Sequence, residues 1–240
     1  MKEIALVVSC EHAVNTVPEA YKTLFAPHQH LLNTHRGFDI GTLTIARAFV
    51  KIFNCDFVQA RATRLLIDCN RSLWHRLLFS EITKSLPKNE KELLIQLFYL
   101  PYRQKVEDRI KTHIQEGKQV LHLSIHSFTP VFNEVLRNID IGLLYDPKRK
   151  NEKMLAQRWQ QQIKQQTKNI QVRMNCPYRG IADGFTTALR KQFAEPNYIG
   201  IEIESNQKLV SDSEFLNYLA SLLTETLKPI INQTWVGYPT

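Results

Sequence analysis

The chain has 240 residues, 31 Lys and Arg against 23 Asp and Glu for a formal charge of +8, and 43% hydrophobic residues. That apolar fraction can fill a sizeable core, whereas no segment approaches the ~20 apolar residues of a membrane span, and no repeat or low-complexity run points to a solenoid or fibre. The basic residues are scattered, the densest being Lys148-Arg149-Lys150, without an aromatic–basic motif, so a solvated surface that attracts a small anion fits better than nucleic-acid binding.

In chain order, Ile4 to Ser9 is a near-continuous apolar run, the pattern of a buried strand. It begins close to Met1 without a signal-peptide cleavage pattern, and the expected setting is cytoplasmic. Cys10-Glu11-His12-Ala13-Val14-Asn15 follows, at a strand end where open α/β sheets hold ligands. Residues 19–25 read as a short helix. His28 and His30 stand two apart like a metal pair, but in a polar loop with no third ligand at metal-site spacing. Asp39 precedes an amphipathic helix over 42–53, where its ordinary role is that of an N-cap and its alternative role that of a metal ligand.

Two strands are expected at 56–60 and 64–69, the second ending in Asn70-Arg71, a forked donor beside a neutral one that suits a carboxylate. Residues 73–88 read as irregular. A helical stretch over 89–117 is kinked at Pro101, presents Tyr102, Val106, Ile110 and Ile114 on one face, and closes at Gly117. The next strand alternates Leu121, Leu123 and Ile125 with His122, Ser124 and His126, and Pro130 stops it. An imidazole at its end is a candidate ligand or base.

Further strands are expected at 140–145, 170–174 and 198–204. Helices are expected over 151–168, packed through Trp159 and Ile163, over 185–193, carrying Arg190, and over 211–232, capped by Ser211 or Ser213. Glu202 and Glu204 share one face of the last strand, where carboxylates are costly unless solvated or employed. The four cysteines form no CxxC pair and are expected as free thiols. The alternation of strands and helices predicts an α/β three-layer sandwich with a central mixed sheet, as a single domain over 1–240.

His12, Asp39, Asn70-Arg71, His126 and Glu202 together hold the inventory of a mononuclear zinc hydrolase: two histidines and a carboxylate for the metal, a glutamate for the proton, an arginine for the substrate. A contiguous HExxH is absent from the sequence. The segments Ser9 to Asn15, Phe38 to Thr42, Arg64 to Arg71, Ile125 to Val131 and Gly142 to Tyr145 run in the order of a known family, with weaker matches at Asn175 to Tyr178 and Gly200 to Glu204. On these the chain resembles the N-formylglutamate amidohydrolases.

That resemblance implies a phosphorylase/hydrolase-like, zinc carboxypeptidase-like fold and one Zn2+ held by His12, Asp39 and His126, with Glu11 the rival acidic ligand. It implies Glu202 as general base, with Glu204 as its competitor. It also implies substrate contacts from Asn70, Arg71 and Arg190. Many relatives read Glu-Ile-Arg where this chain has Glu202-Ile203-Glu204, a change of charge on the substrate side. The implied reaction is hydrolysis of the C–N amide bond of a small anionic N-acyl amino acid such as N-formyl-L-glutamate, by a monomer or small homo-oligomer without nucleic-acid or membrane partners. The rivals are a carboxypeptidase-like peptidase, another N-acyl amino acid deacylase, and a non-catalytic or nucleic-acid-binding protein. His122, farther back on its strand, is expected to be structural.

Overall fold

The computed structural model describes residues 2–210 and 212–232. Its elements are β1 (Ile4–Cys10), α1 (Lys22–Phe25), α2 (Gln29–Leu32), α3 (Thr42–Phe53), β2 (Asp56–Gln59), α4 (Lys88–Leu94), α5 (Leu100–Gln115), β3 (Gln119–Phe128), β4 (Val131–Phe132), β5 (Val135–Leu136), β6 (Ile141–Leu144), α6 (Lys150–Gln166), β7 (Val172–Met174), α7 (Phe185–Gln192), β8 (Tyr198–Asn206), α8 (Gln207–Val210) and α9 (Ser213–Asn232). Six strands form one sheet in the order β2-β1-β3-β8-β6-β7. β8 and β6 pair antiparallel and the other neighbours parallel, so the sheet is mixed.

The period-two alternation sorts the strand residues into two cores. Leu6, Val8, Leu121, Leu123, Ile199, Ile201 and Ile203 face α3, α6 and α9, whose Phe49, Trp159 and Leu223 are fully buried among them. Val7, Val120 and Tyr198 face the other way, onto Tyr102, Val106 and Ile110 of α5 and Phe185 and Leu189 of α7. The sheet is therefore the middle of three layers. His122, Ser124 and His126, with Glu202 and Glu204, alternate with the residues of the first face.

Three expectations are corrected. The stretch 64–69 is a buried loop. Its apolar Leu65, Leu66 and Ile67 pack with Phe25, Ile82 and Tyr99 in a third core cluster. Its backbone is satisfied by loop partners: Thr83 donates to Leu66 O at 3.1 Å and the Asp68 N–H to Leu78 O at 2.9 Å. Apolar content drives burial, and here the hydrogen bonds come from side chains and turns instead of a strand. The irregularity near Pro101 is a π-helical turn over Ile95–Tyr99; the proline sits in the first turn of α5, where its missing N–H is tolerated. At the start of α9 the Asp212 carboxylate accepts the Phe215 N–H at 2.9 Å. Ser211 lies outside the described residues.

Gly117 does close the helical stretch, at φ +81°. The four cysteines are free. Among the described residues no helix is long and apolar enough to cross a membrane.

Candidate active site and metal centre

Parallel pairing brings the C-terminal ends of β1, β3 and β8 side by side, and the site forms there. His12 follows β1 by two residues. His126 stands near the end of β3, opposite Glu204 of β8 in register, with Ser124 opposite Glu202 two pairs farther in. Asp39 reaches the same point from the turn before α3, anchored by its N–H to His12 O at 2.9 Å.

His12 Nδ1 lies 3.2 Å and His126 Nδ1 2.9 Å from Asp39 Oδ2. Ligand atoms of these three buried residues all lie within 4.8 Å of one another, and they are the metal-capable cluster found among the described residues. Two nitrogens and one carboxylate oxygen are the donor set of a catalytic zinc site, which keeps one position open.

The far side of each imidazole is also furnished. His12 Nε2 is 2.7 Å from Asp68 Oδ1, and His126 Nε2 is 3.1 Å from Glu11 Oε2. Metal-ligating histidines commonly donate their second N–H to a carboxylate, which holds the tautomer and the ring orientation. The donor set and this carboxylate backing fit a divalent ion. Glu11 thus lies behind His126 and away from the pocket wall, receiving hydroxyl hydrogen bonds from Ser9, Tyr102 and Ser124 at 2.7–2.8 Å.

Electrostatics agree with this arrangement. Burial alone would raise the carboxyl pKa values of Asp39, Asp68 and Glu11. Facing His12 and Arg64, Asp39 and Asp68 are instead held well below the carboxylate range, as His126 does for Glu11. Burial likewise opposes the His126 imidazolium, but Asp39 and Glu11 outweigh it and hold its pKa high. Glu202 and Glu204 behave differently. Burial raises both, Glu204 up to about 8, with Asp39 and Glu202 adding to the rise and His126 and Arg64 opposing it. Glu204 Oε2 is buried and has no hydrogen-bond partner among the described residues.

A pocket of about 280 Å³ opens over this cluster, its wall including His12, Asp39, His126, Glu202, Glu204, Asn70, Arg71, Arg64 and Arg179. Two loops build the outer wall. Loop 63–75 carries Asn70 and Arg71. The Asn70 side-chain oxygen accepts the Phe185 N–H at 2.7 Å, tying the loop to the start of α7, and Arg71 donates to Asp183 O at 3.0 Å. Loop 175–184 lies hard against β6 because two glycines permit it: a Cβ on Gly142 would stand 2.0 Å from Cys176 O, and one on Gly180 2.3 Å from Tyr145 N.

Arg190 is not part of this wall. Its guanidinium is buried, donating from Nε to Glu152 at 2.9 Å and from Nη2 to Gly200 O at 2.9 Å. His28 and His30 stand apart from the cluster.

Sequence reasoning missed Arg64 and Asp68. Arg64 bridges two carboxylates, 3.3 Å from Asp39 and 2.9 Å from Asp68. The usable signal was Asp68 itself, a carboxylate directly after the apolar Leu65-Leu66-Ile67, which is costly to bury unless it is paired. The hairpin β4–β5, which brings Phe132 to the pocket wall, carried no such signal.

The N-formylglutamate amidohydrolase family model matches residues 4–211. Among solved structures, the chain is similar to a gene product of Agrobacterium tumefaciens at 27% identity, over 95% of this chain and 92% of the other, with a TM-score of 0.79. It is similar in fold to the N-formylglutamate amidohydrolase of Ralstonia eutropha JMP134, at 17% identity over 96% and 94% of the two chains, with a TM-score of 0.71. No curated protein matches it by sequence.

Proposed function

Since the chain belongs to the N-formylglutamate amidohydrolase family, we propose that it is a zinc-dependent hydrolase of the C–N amide bond in small N-acyl amino acids, N-formyl-L-glutamate among them, releasing formate and the amino acid from the formyl compounds. The observation that carries this reading is the convergence of His12, Asp39 and His126, with Asp68 and Glu11 behind the two imidazoles. A zinc ion held by those three residues would lower the pKa of a water towards ~7 and polarise the acyl carbonyl.

The rest of the chemistry falls to side chains of the chain. Of the two competing glutamates, Glu204 has the better claim as general base. It stands opposite the ligand His126 in register, lines the pocket and carries the unsatisfied oxygen. A base must reach the proton it takes before its pKa matters, and burial then supplies a pKa near neutrality. Glu204 takes a proton from the attacking water and delivers it to the leaving amine. Glu202, two pairs farther in along β8, lines the neighbouring wall. Arg71 and Asn70 orient the substrate carboxylate, the guanidinium being steadied through Asp183 O. Arg64 fixes Asp39 and Asp68 relative to each other.

The test is metal content per chain together with amine release from a panel of N-formyl and N-acetyl amino acids, with and without chelator. Stoichiometric zinc and chelator-sensitive hydrolysis are expected. A protein that binds no zinc and whose His126→Ala variant hydrolyses the panel as the parent does would refute the proposal.

A further inference from the structure

The ribbon formed by β4 and β5 beside the pocket is apolar throughout its strands: Val131, Phe132, Val135 and Leu136 are 50%, 52%, 65% and 60% exposed. Contiguous exposed apolar surface on a soluble protein marks a place where something binds. The ribbon's shape is built in. Asn133 and Glu134 at its turn have φ of +48° and +64°, the conformation of a tight type I′ hairpin.

Its position is also built in. The Arg137 guanidinium sits 4.6 Å from the Phe132 ring centre and 5.1 Å from that of Tyr178, and donates to the Tyr178 hydroxyl at 3.1 Å. The clamp joins the ribbon to loop 175–184. Phe132 and Tyr178 are the aromatic residues of the pocket wall, yet 52% and 42% of their surface remains exposed. Each is therefore part of the pocket and part of its rim.

We propose that this aromatic mouth is a substrate subsite for an apolar group, so that the preferred substrates are N-acyl amino acids bearing an aliphatic or aromatic group in place of a second carboxylate. This rests on the hydrolase reading above. The polar wall supports it. Arg64 is engaged by Asp39 and Asp68, and Arg71 is steadied by Asp183. Such a wall accepts one substrate carboxylate at Asn70-Arg71 and is a poor receptor for another. The rival occupant of the mouth is that second carboxylate, held by Arg179.

The apolar group can sit on the amino-acid side chain or on the acyl chain, and two substrate series separate these. The zinc-loaded enzyme is assayed on N-formyl glycine, glutamate, leucine and phenylalanine, and on formyl, acetyl and hexanoyl derivatives of one amino acid. In one series the apolar members are expected to exceed the polar or shorter ones by about tenfold or more in kcat/KM, the discrimination that a few methylene groups confer. Phe132→Ser should reduce that ratio to within about threefold and Phe132→Leu should keep it; at this exposed position substitution leaves the core untouched.

A preference for glutamate over leucine and phenylalanine without an acyl-chain effect overturns the inference, as does an apolar preference that Phe132→Ser leaves intact. A change of oligomeric state on sedimentation of Phe132→Ser, with substrate ratios unchanged, assigns the ribbon to a second copy and also overturns it. Absence of hydrolysis across both series overturns the hydrolase reading and this inference with it, a result distinct from turnover without apolar preference.

Discussion

Replacing Asp68 by asparagine removes one negative charge from behind His12 and almost no volume. The parent contact is buried and short, 2.7 Å from His12 Nε2 to Asp68 Oδ1. Hydrogen bonds to charged groups are worth about 1.5–3 kcal/mol and neutral ones about 0.5–1.5 kcal/mol, so the substitution should cost about 1–1.5 kcal/mol of imidazole positioning and basicity. That is about a tenfold loss of zinc affinity, at the lower edge of the 10–100-fold range for carboxylates behind metal-bound histidines. Arg64 keeps its contact with Asp39 at 3.3 Å, so the loop retains one of its ion pairs. The assay is competition for zinc against a chromophoric chelator, with circular dichroism to confirm folding. A folded Asp68→Asn protein whose zinc Kd stays within about twofold of the parent would refute the claim that Asp68 orients a metal ligand.

Other consequences are as direct. Glu204→Gln should lower kcat by about 10²–10⁴-fold with zinc content retained, while Glu202→Gln should cost far less; equal losses, or the reverse order, would return the base to Glu202. Arg190→Ala should leave Glu152 buried beside Arg149 alone and lower the unfolding free energy by about 3–5 kcal/mol, seen in urea titrations; a change confined to KM would contradict its structural placement. Burial depresses His122 from the usual 6.5 to about 4, with Glu11 opposing the shift and Arg190 and His126 adding to it. The unfolded chain then binds more protons between those two pH values, so this contribution is full above pH 6.5 and is lost as pH falls to 4, by about 3 kcal/mol. The stability difference between parent and His122→Asn should therefore grow with pH across that window, and a flat difference would exclude the shift.

The sequence by itself determined the layers and most of the cluster. Period-two alternation put Leu121, Leu123 and Ile125 on one face and His122, Ser124 and His126 on the other, because a pleat leaves each side chain only two directions. The same rule set Glu202 and Glu204 on a common face of β8. Helical spacing identified Tyr102, Val106 and Ile110 as one buried stripe of α5. His12, Asp39 and His126 were nameable because they stand at strand and helix ends within motif-like segments, where ligands gather in α/β sheets.

Tertiary structure decided what depends on contacts between distant segments. The run 64–69 is apolar like a strand, but apolar content specifies burial and says nothing about which groups satisfy the backbone. Here Thr83 and Leu78 do so, and the stretch stays a loop. Arg190 and Arg71 have the same chemistry in sequence. Only packing shows one held by Glu152 under the sheet and the other standing at the pocket. Glu11 became meaningful once β1 and β3 were paired in register, and Asp68 once loop 63–75 packed beside His12, since a carboxylate orients an imidazole only at hydrogen-bond range, and no spacing along the chain encodes a distance of 2.7 Å across 56 residues.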